Sequence, residues 1–139
     1  MIILDTNVLS ELMKPAPASI VVDWIGAQAM ASLYTTSITQ AEILHGIMLL
    51  APGRRRSGLE AAAMGMFAHD FGGRILGFGP DAALPYARIA SDRRRAGRPI
   101  SHFDAQIAAI AHSTGAVVAT RNVGDFDDCG LSLVDPWQP

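Results

Sequence analysis

The fold is decided by the opening stretch Ile2-Ile3-Leu4-Asp5-Thr6-Asn7-Val8-Leu9-Ser10-Glu11, in which a short apolar run ends at a carboxylate. The run Ile2–Leu4 is brief and β-branched, which is typical of a buried strand. The residues from Asn7 to Met13 resemble a short helix, which the Pro15-Ala16-Pro17 segment stops. A carboxylate that ends a buried strand needs a partner, so Asp5 is the first candidate for a functional residue.

Short strands and helices alternate through the rest of the chain. Further strands are predicted over 33–36, 74–78, 116–120 and 131–134, and helices over 20–29, 37–50, 57–71, 81–96 and 101–115. Ser19 is expected to cap the helix over 20–29. The apolar residues that almost encircle 37–50 predict a deeply buried helix. The alternation predicts an α/β fold with a largely parallel sheet of about five strands flanked by α-helices.

The length and composition predict one domain over 1–139 that resides in the cytoplasm. Half of the 139 residues are hydrophobic and only 17% are charged, which excludes a disordered chain. No apolar run approaches the roughly 20 residues of a membrane helix, and the N-terminus lacks the basic region of a signal peptide. Cys129 is the only cysteine, so an intramolecular disulfide and a cysteine-rich zinc site are excluded.

Four acidic residues are predicted to meet at one edge of the sheet. Asp5 follows the first strand, and Asp125 lies in the loop after the fourth. Glu42 lies one turn into the helix after the second strand, and Asp104 lies in the first turn of the helix that begins at Ser101. Parallel α/β sheets bind ligands at the carboxyl ends of their strands, where all four side chains would project.

Such a cluster of carboxylates needs a counter-charge. Two carboxylates ~4 Å apart repel by about 4 kcal/mol at an effective dielectric near 20. A divalent cation removes that repulsion, and oxygen-only ligands favour Mg²⁺ or Mn²⁺ over zinc. A cation held in this way supports hydrolysis of a phosphodiester, so the pattern favours a nuclease.

Each acid also has a structural explanation when it is taken alone. The spacings Ser101 to Asp104 and Thr39 to Glu42 fit capping boxes, and turns favour aspartate in any case. Only the joint placement of the four acids points to a metal site. Other chemistries fit poorly, because the sequence lacks a GxxxxGK[ST] loop, a GxGxxG motif, an HExxH motif and any lysine after Lys14.

The basic residues form two clusters within a chain of net charge −2. Ten of the eleven basic residues are arginines, and a guanidinium suits phosphate. They include the run 54–56 and the run 93–95. The candidates for holding RNA are Arg93, Arg94, Arg95, Arg98 and Arg121, and solvated helix ends are an equally good explanation for the runs.

Four segments resemble the motifs of a known family. They are Leu4-Asp5-Thr6-Asn7-Val8-Leu9-Ser10-Glu11, Ser37-Ile38-Thr39-Gln40-Ala41-Glu42, Pro99-Ile100-Ser101-His102-Phe103-Asp104-Ala105-Gln106-Ile107-Ala108 and Thr120-Arg121-Asn122-Val123-Gly124-Asp125-Phe126, followed by the ending Val134-Asp135-Pro136-Trp137. In this order they resemble the acidic motifs of PIN-domain ribonucleases over essentially the whole chain. The sequence is most similar to the VapC toxins, particularly the branch that contains the FitB proteins.

This resemblance implies a PIN-like fold and an endoribonuclease that depends on Mg²⁺ or Mn²⁺. It implies Asp5, Glu42, Asp104 and Asp125 as the metal-binding and catalytic residues, supported by Thr6, Asn7, Ser37, Thr120 and Asn122. It also implies a VapB-type antitoxin, an RNA substrate, a homodimer, and operator DNA contacts that come only from the antitoxin. Gly124 departs from the family pattern, in which a charged residue is common there, so a local phosphate contact is not expected.

Two alternatives share the same fold. One is a catalytically quiet binding module that acts with a DNA-binding antitoxin, although a purely structural domain would not need clustered acids. The other is a metal-dependent DNA nuclease, which the sequence does not distinguish from a ribonuclease. The apolar excess within 43–67 predicts a surface that receives an amphipathic partner helix, and ordinary core packing is at least as good an explanation for any one of these residues.

Overall fold

The structure is a computed structural model that describes residues 1–139. Five strands, each of two to four residues, alternate with six helices. The strands are β1 (Ile2–Leu4), β2 (Leu33–Thr36), β3 (Ile75–Leu76), β4 (Val117–Ala119) and β5 (Leu133–Val134). The helices are α1 (Thr6–Leu12), α2 (Ser19–Gly26), α3 (Ser37–Met48), α4 (Arg54–Gly65), α5 (Pro80–Arg95) and α6 (His102–Thr114).

The five strands form one parallel sheet in the order β3-β2-β1-β4-β5, which confirms the predicted fold class. The central strand β1 pairs with β2 on one side and with β4 on the other, through Ile2 opposite Leu33 and Val117. The chain builds outward from β1 to β3 and then returns to the opposite side for β4. The topology therefore switches between β1 and β4, at the strand ends that carry Asp5 and Thr120.

Adjacent residues of β1 face opposite sides of the sheet, as the period of a strand requires. Ile3 packs into a core formed with α5 and α6, and Leu4 packs into a second core formed with α1 to α4. Both side chains are essentially inaccessible to solvent. Because helices cover the sheet on both faces, its carboxyl edge is the place where polar strand-end residues can gather.

Several local expectations were wrong. Ser19 does not cap α2. Ala18 is the N-cap, and its backbone N–H donates to a Glu11 carboxylate oxygen (3.2 Å), which no local signal indicated. Helix α2 ends at Gly26 rather than 29, and strand β3 is shorter than 74–78. Helix α4 begins at 54 rather than 57, and the predicted helix to 71 finishes as a π-helical turn, Met66–Asp70.

Helix α3 is not deeply buried on all sides. Ile43 and Ile47 face the core, whereas Met48 and Leu49 are 46% and 74% exposed. The apolar excess that suggested deep burial therefore lies partly on the surface. No helix in the structure combines the length and the apolar character needed to cross a membrane.

Candidate active site

Asp5 is held rigidly at the carboxyl end of β1. One carboxylate oxygen caps α1 by accepting from the Thr6 backbone N–H (2.8 Å). The other accepts from the Thr120 hydroxyl (2.9 Å) and from the Asn7 side-chain amide (3.3 Å). The residue is only 5% exposed. Three donors therefore fix the orientation of a nearly buried carboxylate.

Thr120 connects the ends of β1 and β4. Its hydroxyl donates to Asp5 and accepts from the Asn7 amide (3.2 Å) and from the Asn122 backbone N–H (3.1 Å). The side-chain oxygen Oδ1 of Asn7 in turn accepts from the Arg121 backbone N–H (3.2 Å). With Thr6, four of the predicted supporting residues therefore lie in one network around Asp5.

Glu42 is oriented by Thr6. The Thr6 hydroxyl donates to a Glu42 carboxylate oxygen (2.9 Å) and lies 3.1 Å from the Thr39 hydroxyl oxygen. Helix α3 is capped by Thr36, whose hydroxyl accepts from the Thr39 backbone N–H (3.1 Å), so Glu42 is not the far member of a capping box. Ser37 begins α3 and does not line the site, whereas Thr6, Asn7 and Asn122 line it. Thr120 lies behind the lining and reaches the site through its bond to Asp5.

Asp104 and Asp125 complete the acidic set from the opposite side of the sheet. The Ser101 hydroxyl caps α6 by accepting from the Asp104 backbone N–H (3.1 Å), and Asp104 faces the site from the first turn of this helix. Asp125 lies in a 3₁₀ turn, Val123–Phe126, directly after β4, and is exposed.

All four acids line one open cleft of about 440 Å³, here named the acidic cleft. Only one of its twelve lining residues is hydrophobic. The sequence prediction missed four of them: Ser10, Glu11, Lys14 and Trp137. Two signals could have found them: Ser10, Glu11 and Trp137 fall within the family motifs quoted above, and Glu11 and Lys14 have the i,i+3 spacing of an ion pair, which they form (3.0 Å).

The acids of the cleft influence one another. Burial raises the pKa of Asp5 to about 6, and the charges of Asp104 and Glu42 add to the rise, although the bonds from Thr6 and Thr120 oppose it. Burial also raises the pKa of Glu42, with a contribution from Asp104. Burial likewise raises the pKa of Asp104, and the Asp125 charge adds to it. The cluster is therefore electrostatically unfavourable until a cation neutralises it.

The donor set of the cleft fits a hard divalent cation. Its acidic groups are all carboxylates, and no three His, Cys, Asp or Glu side chains form a cage that could hold a metal ion by itself. Mg²⁺ usually keeps several waters and binds through one or two carboxylates plus substrate phosphates, so it does not require such a cage. Asp5, Glu42, Asp104 and Asp125 are the residues that would hold it.

The predicted RNA-binding arginines fall into different environments. Arg93 does not fit that prediction, because it is only 6% exposed and its guanidinium is bonded to backbone carbonyls. Arg98 pairs with Asp127 and Asp128, and Arg94 and Arg95 are exposed. Arg121 lines the acidic cleft, and its guanidinium lies over the Trp137 ring, 4.9 Å from the centroid.

The family model of the PIN domain matches residues 2–129, so the chain belongs to the PIN-domain family. It is 42% identical to the plasmid stability protein StbB of Pseudomonas syringae pv. tomato, with 99% of each chain covered. It is 39% identical to the VapC ribonuclease Y4jK of Sinorhizobium fredii, with 100% of this chain and 99% of the relative covered. It is 36% identical to the toxin FitB of Neisseria gonorrhoeae, with 99% of each covered.

Solved structures agree with these relatives. The structures of FitAcB from Neisseria gonorrhoeae and of FitAB bound to the IR36 DNA fragment each superpose with a TM-score of 0.93 at 36% identity. Both matches cover 100% of this chain, together with 100% of the matched FitAcB chain and 97% of the matched chain in the DNA-bound structure. Within the PIN-domain family, the chain therefore belongs to the group that contains the VapC and FitB proteins.

Proposed function

We propose that this chain is an endoribonuclease dependent on Mg²⁺ or Mn²⁺, and the toxin of a toxin–antitoxin pair. The observation that carries the proposal is the convergence of four carboxylates at the switch point of the sheet, with three of their pKa values raised by burial and by one another. The names of two relatives, a VapC ribonuclease and the toxin FitB, support the choice of RNA and of a toxin role.

The side chains of the cleft would have different roles in hydrolysis. Asp5 and Glu42 are held by Thr6 and Thr120 as pre-oriented ligands. When bound, the cation supplies an activated water and offsets the negative charge of the phosphodiester. Lys14 and Arg121 line the same cleft and would attract the substrate backbone.

The test is cleavage of total RNA, and of single-stranded DNA in parallel, by protein purified free of antitoxin. Mg²⁺ or Mn²⁺ should support RNA cleavage and EDTA should stop it. Ca²⁺ should support turnover poorly, because its looser geometry positions the reacting groups less well. Asp5→Asn should be inactive, whereas Asp23→Asn, on the exposed face of α2, should be active. Chelator-resistant cleavage would contradict the metal mechanism, and cleavage of DNA alone would contradict the substrate.

We propose further that the antitoxin binds beside the acidic cleft. An apolar groove of about 450 Å³ lies between α1, α3 and α4, and it shares Thr6, Ser10, Lys14 and Glu42 with the acidic cleft. The apolar residues that line this groove include Ile43, Ile47, Leu50 and Leu59. If an amphipathic helix of the antitoxin binds in this groove, the basic residues that flank the helix would lie at the four carboxylates. An arginine among them could pair with these carboxylates.

The FitAB structure bound to a DNA fragment supports a DNA-binding complex. We propose that this chain contacts operator DNA only through its antitoxin. We propose that this chain forms a homodimer within such a complex. Co-expression with the neighbouring upstream reading frame should yield a stable complex with suppressed nuclease activity, and its mass should contain two copies of this chain. This chain alone should not bind the operator fragment. Association without inhibition would contradict the placement of the antitoxin beside the cleft.

A further inference from the structure

Asp125 differs from Asp5 and Glu42 in how its carboxylate is held. The Asp5 and Glu42 carboxylates accept hydrogen bonds from neighbouring hydroxyls and amides. The Asp125 carboxylate accepts none, and the residue is exposed in a short 3₁₀ turn. Its position in the acidic cleft therefore depends on whatever fixes the backbone of residues 125–129, here named the Asp125 loop.

Arg93 bonds directly to that backbone. One terminal nitrogen of its guanidinium, Nη1, donates to the carbonyl oxygens of Asp125 (3.1 Å) and Asp127 (2.8 Å). Its Nε donates to the Arg98 carbonyl oxygen (2.7 Å), which joins the loop to the turn that follows α5. The same guanidinium lies 3.9 Å from the Cys129 sulfur. Arg93 thus contacts the loop near both of its ends.

Its burial distinguishes Arg93 from the neighbouring arginines. Its neighbours Arg94 and Arg95 in the last turn of α5 are exposed, whereas Arg93 is 6% exposed. It forms no salt bridge with a carboxylate, and its closest hydrogen-bond acceptors are backbone carbonyls. Lysine could not replace it, because one ammonium on a flexible stem does not reproduce the planar spread of donors.

We propose that Arg93 is a positioning residue for catalysis, and that it acts by holding the Asp125 loop so that the Asp125 carboxylate faces the acidic cleft. This inference rests on the proposed nuclease function. Arg93 does not line the acidic cleft, and its hydrogen bonds reach the site through the Asp125 loop. Residues that orient metal ligands from outside typically change activity or metal affinity roughly 10–100-fold when they are replaced, and we expect an effect of that order.

The experiment is a double-mutant cycle on the full-length chain. The variants are Arg93→Lys, Asp125→Asn and the pair together, and Arg93→Gln is a second replacement. Arg88→Lys is the matched control, because Arg88 is an exposed arginine of the same helix. The first measurement is the RNA cleavage rate as a function of Mg²⁺ concentration, and the second is amide hydrogen exchange of residues 123–130. Circular dichroism verifies that each variant is folded.

The expected result has three parts. Arg93→Lys lowers the cleavage rate roughly 10–100-fold and raises the Mg²⁺ concentration needed for half-maximal rate. The same change has no further effect when Asp125 is already Asn, because the two residues act as a unit. The Asp125 loop exchanges faster in Arg93→Lys than in the wild type or in Arg88→Lys.

Three results would overturn the proposal: equal activity in Arg93→Lys and Arg88→Lys, additive losses in the double variant, or loss of the folded state in both Arg93 variants. Additive losses or unfolding would make Arg93 a general structural residue. If the wild type does not cleave RNA, the nuclease proposal fails separately. Hydrogen exchange then still decides whether Arg93 holds the loop.

Discussion

Replacing Asp5 with asparagine should make the metal-free protein more stable at pH 8 and less stable at pH 4. The reason is the rise in the pKa of Asp5 from 3.8 to about 6, which burial causes first and the neighbouring acids increase. For an acid whose pKa is raised on folding, stability is fully present below the unfolded pKa and is lost as the pH rises through the folded one. The wild type therefore loses stability between about pH 4 and pH 6, and Asp5→Asn does not.

The magnitude follows from the shift and from the hydrogen bonds. A rise from 3.8 to about 6 corresponds to about 3 kcal/mol of unfolding free energy. Asparagine keeps an oxygen for the Thr6 backbone N–H, but its amide nitrogen would face two donors, Thr120 and Asn7. These mismatched donors should lower the unfolding free energy of the variant by about 1–2 kcal/mol. The net gain should be about 1–2 kcal/mol at pH 8, and a loss of similar size remains at pH 4.

The assay is urea unfolding of both proteins in EDTA at pH 4, 6 and 8, with the exposed Asp23→Asn as control. Addition of Mg²⁺ at pH 8 should stabilise the wild type by about 3 kcal/mol at one hundred times its dissociation constant, and Asp5→Asn far less. A stability difference between the two proteins that does not change with pH would refute the reasoning. So would equal stabilisation of both by Mg²⁺.

Two further predictions concern surfaces outside the catalytic carboxylates. Gly46→Leu should fold normally, because a Cβ at Gly46 meets no atom within 4 Å. Since Gly46 lines the apolar groove, the variant should weaken antitoxin binding at least about tenfold in a titration. The control is Gly58→Leu on α4, which is equally unhindered but lies outside that groove and should bind the antitoxin normally. Changing Arg94 and Arg95 together to alanine should weaken RNA binding with little sequence bias and flatten its salt dependence. The measurement is fluorescence anisotropy in a variant that does not cleave RNA. An unchanged salt slope would make both residues ordinary solvated helix ends.

Much of the fold and of the acidic cleft could be predicted because the relevant signals are local. The apolar run Ile2–Leu4 ends at Asp5, and the alternation of such runs with helices specified a parallel sheet. Parallel strands place their carboxyl ends along one edge, so residues that follow β1 and β4 must be close whatever the details of packing. The meeting of Asp5 with Asp125 in the acidic cleft follows from that rule.

Only the tertiary structure decided which of several similar residues are buried and what they contact. Arg93, Arg94 and Arg95 are identical in type and adjacent in sequence, but only Arg93 faces the Asp125 loop. A helix places successive residues about 100° apart, so the choice depends on how α5 is rotated against a loop more than 30 residues away in the chain. The start of α2 depends in the same way on Glu11, whose carboxylate binds the Ala18 backbone N–H. Contacts between distant segments depend on packing geometry, and no local pattern of residue types encodes that geometry.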